Sequence, residues 1–581
     1  MATGQIPFRG DSTATIFDAI LNRPPTSAVR LNPEVPPKLE EILHKALEKD
    51  RNLRYQHAAD MRTDLQRLKR DSESGKTRVA AAEPAPNTST SKYWIPAAAA
   101  LLIGALAAGG WFLRSKSSNV QVDSIAVIPF SNSGGTDSDL LTDGLTESLI
   151  ASLAHVPDLK VKSRSSVFRY KNKDIDIQQI GKDLTVDALL TGRVVQHGDA
   201  VQVTADLTNV QDNTEIWGEH YDGKTSDILS LQQQIASDIA ARLRSQLSGD
   251  EKRQVSKQGT KNPEAYELYV KGRYYWNKRT TPDEETAISY FRQAIDKDPT
   301  YAQAYAGLAD AYYVQAVRVD ARDVLPKSKA AAEKALELDP TLSRAHADLA
   351  SYKDTYLFDF AGGDAEYRKA LELDPSDATA HQWFAQHLSD FGGASVEESI
   401  EEADRSRELD PLSAVIGWWQ ADDYYYARRF DKANALFQKV IADNPTLGTA
   451  HVEFAYSQWG QKRYPQAIEE FTTAGRLLAD RNLTDFAAAL DTGFHSGGWP
   501  GALRAALQVA LTQHKYSYFH PYFLAGLYVG LGDKDRAFEW LDTAYQERDN
   551  QLVNVKVDPL FDSLHSDPRY ADLLKKMGLT Q

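Results

Sequence analysis

The side chains able to do chemistry are few, and their spacing does not suit catalysis. Thirteen histidines occur with no cysteine, which removes thiolate nucleophiles, disulfides and cysteine-ligated zinc together. His381 and His387 stand six apart, so they do not share a helix face as a pair at four-residue spacing would. No His-Glu-x-x-His, calcium-loop or Gly-x-Ser-x-Gly pattern occurs. Gly134-Gly135 lacks the Gly-Lys-Ser/Thr ending of a phosphate loop and reads as a solvated turn after a strand. The expectation is a chain with no catalytic, cofactor-binding or metal-binding residues and no cofactor.

What does recur is a spacing. Asp-Pro or Asn-Pro stops fall at Pro299, Pro340, Pro375, Pro411 and Pro445, at intervals of 41, 35, 36 and 34 residues. Ahead of them small and aromatic positions repeat: Ala287, Phe291 and Ala294; Tyr367 and Ala370; Ala433 and Phe437; Ala467, Phe471 and Ala474. A period near 34 with two helices per unit resembles the tetratricopeptide repeat, and residues 263–480 hold five or six such units. Small alanines let paired helices approach, the aromatic fills the gap to the next unit, and proline ends the second helix because it cannot donate the next hydrogen bond. Residues 481–581 continue as weaker helical pairs and a cap ending in Lys575-Lys576. In such a stack the first helix of each unit lines a concave groove. The repeat register turns Gln303, Asp310, Tyr313, Phe384, Trp418, Asp422, Tyr425, Tyr456 and Trp459 toward it, a set suited to an extended peptide with basic and apolar side chains.

Upstream the period changes. SIAVIPF is a continuous apolar strand, DLLTDGLTESLIASLAHV an amphipathic helix, and DALLTGRVVQHGDAVQVTADLTNV a hairpin turning at His197-Gly198-Asp199. LKVKSRSSVFRY reads as a strand leading into a loop, and a long helix within 226–248 closes an α/β sandwich over 120–248. The phrases SIAVIPF, LTDGLTESLI, LLTGRV and TEIWGEHYD resemble the TolB amino-terminal-like or FlgO-like domain. That resemblance implies a protein-contact module without a catalytic constellation.

Residues 1–72 read as three helical stretches, 11–21, 37–47 and 57–69. MATGQIPFRGDSTATIFDAILNR and LEEILHKALEKDRNLRYQHAADMRTDL resemble the last quarter of a bacterial Ser/Thr protein kinase domain. Gly4, Pro7 and Phe8 match its Gly-x-x-Pro-Phe turn, and Arg54 matches the arginine that pairs with the glutamate of the Ala-Pro-Glu motif. The Gly-rich loop, the ATP-pairing lysine and the His-Arg-Asp loop are absent from the chain, so phosphoryl transfer by the chain as it stands is not expected. Asp390-Phe391-Gly392 spells the kinase magnesium tripeptide but lies far beyond the kinase-like stretch, and chance explains it. The resemblance leaves residues 1–72 as a truncated C-lobe remnant.

A Ser/Thr/Ala/Pro-rich linker, 73–92, leads to WIPAAAALLIGALAAGGWFL, an uncharged run within 93–113 flanked by Tyr93, Trp94 and Trp111. At about 1.5 Å per residue it matches the roughly 30 Å hydrocarbon thickness and reads as one transmembrane helix. A translation start at Met61 would instead make it a signal peptide with Ala105-Leu106-Ala107 at the cleavage site. Ala100, Gly104 and Ala108 form a small-xxx-small face for a homodimer contact. Residues 1–92 carry a net charge of +3 and the remainder −18, within a total of −15. That balance argues against nucleic acid as partner, and the basic flanks place the N-terminus in the cytoplasm and the repeats in the periplasm or outside the cell.

The fold class expected is thus multidomain: kinase C-lobe remnant, transmembrane helix, α/β sandwich and α-solenoid. The function expected is a membrane-anchored repeat protein that binds protein or peptide partners as the sensor or scaffold of a bacterial signalling system. The alternative is the C-terminal part of an active transmembrane Ser/Thr kinase whose catalytic motifs lie upstream of Met1.

Overall fold

The computed structural model describes residues 35–48 and 122–579, with breaks at 133–135, 157, 174–175, 225–226, 244–258, 278–280, 393–394 and 517–518, together with residues 30, 32 and 64. Residues 1–118 and 119–581 form separate compact units. In the first, a helix spans Pro37–Ala46 with Ile42 buried. The other helices expected there, Arg54, the Gly134-Gly135 turn and the linker lie outside the described residues.

The membrane-spanning expectation is corrected. Among the described residues no helix is long and apolar enough to cross a membrane, and the run 93–113 lies outside them. The reason is length and charge. The apolar helix Pro521–Leu531 has 11 residues, about 16 Å, and the 36-residue span Arg481–Tyr516 is broken by a turn at Gly497-Gly498 and carries charged side chains. The transmembrane element of the fold class, the single-pass localisation with its cytoplasmic N-terminus, the membrane as a partner and the helix-mediated homodimer are therefore not retained.

Continuous apolar strands need cover on both faces, and the sheet of the second unit has it. Strands β1 (Ser124–Val127), β2 (Ser131–Asn132), β3 (Lys160–Val161), β4 (Ala188–His197), β5 (Ala200–Asn209) and β6 (Glu215–Lys224) run in the order β3-β1-β4-β5-β6, with β2 beside β4. β1 pairs parallel with β3 and β4, whereas β4, β5 and β6 are antiparallel. The hairpin closes at His197↔Ala200, where Gly198 takes φ +61°. One face packs on helices Thr136–Ala154 and Ile228–Leu243 through Leu145, Leu149, Leu153, Ile235 and Ile239. The other packs on Arg164–Phe168 and Ile177–Leu184. The stretch after β3, expected to be a loop, is thus a short helix, because Val167 buries against the sheet.

Among the described residues eight antiparallel helical pairs follow. Six run from Pro263–Trp276 and Thr281–Lys297 to Gly448–Gly460 and Tyr464–Leu478; the seventh is the two legs of Arg481–Tyr516, and the eighth is Pro521–Leu531 with Lys534–Glu547. Gly493 and Gly501 let the legs of the seventh touch, since a Cβ on Gly493 would sit 2.4 Å from the Gly501 carbonyl oxygen. Two 3-10 turns, Asn550–Lys556 and Pro559–Leu564, and helix Pro568–Met577 complete the chain. Ala287, Phe291, Ala433, Phe437, Ala467 and Phe471 are all fully buried between helices.

Because one aromatic per unit fills each gap, Phe437→Ala should destabilise the array by about 3–5 kcal/mol. The urea midpoint of the purified chain measures it, and an unchanged midpoint would show the gap to be filled otherwise.

Candidate functional site

Helix Pro263–Trp276 starts at an Asn262 cap and presents Tyr269, Arg273 and Trp276, three to four residues apart, on its inner face. The inner helices of the next pairs, Ala302–Gln315, Ser343–Tyr352 and Ala378–Phe391, add Asp310, Arg344 and Trp383. Asp310 is fully buried and accepts from Arg273 Nη1 at 3.1 Å and from Arg344 Nε at 2.6 Å. Arg344 also reaches Asp377 at 3.4 Å, and Arg273 Nε donates to Glu147 of the α/β domain at 2.8 Å. Burial opposes the charge on Arg273, but Glu147 and Asp310 outweigh it and raise its pKa. The two guanidiniums lie against indoles, Arg273 4.5 Å from the Trp276 ring centre and Arg344 4.6 Å from that of Trp383.

The α/β domain is bolted across this inner face at two places. At the first pair, Ser148 Oγ meets the Tyr266 hydroxyl at 2.8 Å, and Gly144 leaves room for Val270, whose methyl a Cβ would meet at 2.6 Å. At the end of the fourth pair Lys160 pairs with Glu408 at 2.7 Å, Ser165 and Ser166 donate to Asp410, and the Leu412 N–H donates to Ser166 at 3.0 Å. Between the bolts lies a cleft of about 370 Å³. Its walls hold six carboxylates (Glu147, Asp310, Asp339, Asp374, Asp377, Asp410) against three arginines (Arg164, Arg273, Arg344), so acid predominates. Burial, assisted by Asp377, pushes Asp374 up to about 6.

Farther along, the inner face is occupied by the chain's own C-terminal part. Asp558 accepts from the hydroxyls of Tyr425 and Tyr522, at 3.2 and 2.7 Å. Phe523 stacks on Tyr456, centroids 4.4 Å apart. Arg428 forks onto Asp562 at 2.7 and 3.0 Å. Across the superhelix His520 donates to the Val317 carbonyl at 3.0 Å and faces Asp549 at 2.8 Å. Burial would lower its pKa, but Asp549 raises it on balance.

The nine residues expected in a groove therefore have different surroundings. Gln303 and Asp310 line the cleft. Tyr313 stands edge-on to Trp383, centroids 4.8 Å apart. Phe384 is 1% exposed, packed on Tyr367 and His387. Trp418 stacks on Trp419. Asp422 is buried, and loss of water raises its pKa well above the carboxylate range, with Glu453 adding to the effect. Tyr425 and Tyr456 contact the C-terminal part, and Trp459 packs on Trp499.

Not anticipated were Arg273, Arg344, Trp276 and Trp383. A second unanticipated feature is a histidine clamp six residues after a proline stop. His346, His381 and His451 each bond through Nδ1 to a glutamate of the second helix, Glu366 at 2.6 Å, Glu402, and Glu470 at 2.5 Å. The Nε2 atoms of His346 and His381 reach the carbonyls of Pro340 and Pro375. The Pro-x5-His spacing was visible in the chain and marks packing. His387 instead faces Asp354 at 2.8 Å, and Asp390-Phe391-Gly392 is a helix end with Gly392 at φ +61°.

The profile of the HilA/YgeH-like transcriptional regulator, second domain, matches residues 121–238, whereas the strand phrases there resembled the TolB amino-terminal-like or FlgO-like domain. A putative adenylate cyclase of Rhizobium meliloti is 29% identical over 231 residues, 39% of each chain. A probable serine/threonine-protein kinase of Clostridium perfringens is 33% identical over 101 residues, 16% of this chain and 15% of that one. PrkC of Bacillus subtilis, also a serine/threonine-protein kinase, is 43% identical over 65 residues, 11% and 10%. The chain thus spans well under half the length of these relatives. Among solved structures, human IFIT1 with a capped RNA covers 55% of this chain and 77% of its own at 15% identity and TM-score 0.34. YrrB, a TPR protein with an unusual peptide-binding site, covers 33% and 95% at 17% identity and TM-score 0.23. At such scores the superpositions are loose, and the helical-repeat architecture stands on this chain's own paired helices.

Inside the occupied region, burial pushes Glu453 up to about 7 against the pull of His520. The folded state holds this proton more tightly than an ordinary carboxyl at 4.5 does. Stability should therefore fall as pH rises from about 4.5 to about 7 and level off above. Glu453→Gln should flatten that slope in urea midpoints measured across the range; an unchanged slope would assign it to other groups.

Proposed function

We propose that the chain is a peptide- or protein-binding repeat module whose ligand enters the cleft between the α/β domain and the inner face of the first four helical pairs. The observation that carries this is occupancy. The later inner face is filled by residues 519–564, while the cleft stays open with the partly exposed guanidiniums of Arg273 and Arg344 in its wall. Ile150, Leu229 and Tyr269 in the wall supply apolar contact, and the acid excess selects basic side chains, so the fitting ligand is an extended segment with lysine or arginine beside apolar residues. The α/β domain acts as a fixed jaw of the cleft rather than an independent module.

The identity with serine/threonine-protein kinases over short segments supports a role as the sensing or scaffolding part of a bacterial signalling protein. It also favours a second reading, in which the module regulates a kinase to which it is joined.

A peptide array of mixed composition probed with the purified chain tests the binding reading. Basic-apolar peptides should be retained, and Thr379→Trp, which fills the cleft from its wall, should reduce retention by about tenfold. Retention unaffected by Thr379→Trp, or none by the parent chain, would refute the cleft as the site.

A further inference from the structure

The turns inside the fifth and sixth pairs repeat one another. Arg428-Arg429-Phe430 and Lys462-Arg463-Tyr464 are both basic-basic-aromatic. Arg428 and Lys462 adopt the left-handed conformation at φ +61° and +62°. The next N–H in each turn bonds back in the same way, Arg429 to the Tyr424 carbonyl and Arg463 to that of Gln458, both at 2.8 Å. Two successive units therefore place cations at equivalent turn positions on the same backbone frame.

Together the turns enclose an open concavity of about 520 Å³, lined by Arg428, Arg429, Lys432, Gln461 and Arg463, with Asp431 the acid among them. Arg428 is tied to Asp562 and Arg429 to Glu397. Lys432 lies 5.0 Å over the Tyr424 ring. Lys462 and Arg463 are exposed and have no carboxylate partner among the described residues. The helices beginning at Phe430 and Tyr464 both lack a side-chain N-cap bond, so their first-turn N–H groups, apart from position 465 where proline has none, remain as donors beside these cations. In a chain of net charge −15, this is a local reversal of sign.

We infer that this edge of the array, apart from the cleft and independent of its role, binds an acidic extended segment of a partner protein. Adjacent helices in such a stack lie about 8–10 Å apart, close to the roughly 9 Å that three residues cover in the polyproline-II conformation, whose three-residue turn puts every third side chain on one face. Carboxylates at every third position match that pitch. The acidic body of the molecule repels a continuous polyanion such as nucleic acid but tolerates a short acidic segment at one site.

The test uses the full chain and a fluorescein-labelled (Glu-Ala-Ser)4 peptide followed by anisotropy at low salt, with (Lys-Ala-Ser)4 as counter-probe. The acidic peptide should bind, and Lys462→Glu/Arg463→Glu should weaken it by about tenfold or more. Lys182→Glu/Lys224→Glu, the same charge change on exposed residues of the α/β domain, should shift it less than about twofold. If the melting temperature of the first variant moves, Lys462→Gln/Arg463→Gln serves in its place. Failure of the parent chain to bind, equal loss in both double variants, or displacement by inorganic phosphate at matched ionic strength would overturn the assignment.

Discussion

A carboxylate that is to stay ionised without water must be answered by cations, and the arrangement around Asp310 follows from that requirement. Its two oxygens face guanidiniums from the pairs on either side, and one of those guanidiniums also holds Glu147 of the α/β domain. Three repeat units and the sheet domain are thereby fixed through one fully buried charge. Removing either arginine would leave an uncompensated charge in the interior, which is far more costly than the intact network is stabilising.

The second constraint is the closing of the superhelix on itself. Arrays of paired helices end with an exposed apolar face, and here the end is tucked inward. His520 reaches the Val317 carbonyl in the second pair, and Asp558 joins the hydroxyls of Tyr425 and Tyr522. Buried acids gather along this interior. Loss of water raises Asp390, Asp422 and Asp423 well above the usual carboxylate range, which favours their neutral form.

Much of the architecture was legible because helix pairing leaves a periodic trace. The proline stops, the alanines facing one another and one aromatic per unit all follow from packing geometry that any such stack must satisfy. Three signals were weaker. β6, with glycine and charge through its length, carries no alternation that would mark it as a strand, yet β5 recruits it through nine residue pairs. The helix Arg164–Phe168 is too short to show a period. The apolar run 93–113 reads as a span by hydropathy, yet no helix among the described residues could cross a membrane.

The order and spacing of small, aromatic and proline residues determined that this chain forms stacked helical pairs behind an α/β unit, because local periodicity alone sets which face of a helix must be covered. Which groove residues remain open was decided only by the tertiary structure. Asp310, Tyr425 and Tyr456 occupy comparable inner-face positions, but their partners, Arg273 and Arg344, Asp558, and Phe523, lie between 34 and 133 residues away. Nothing local to those residues encodes that distance. Chain closure and domain docking bring the partners in, and those events depend on the accumulated curvature of every pair between them.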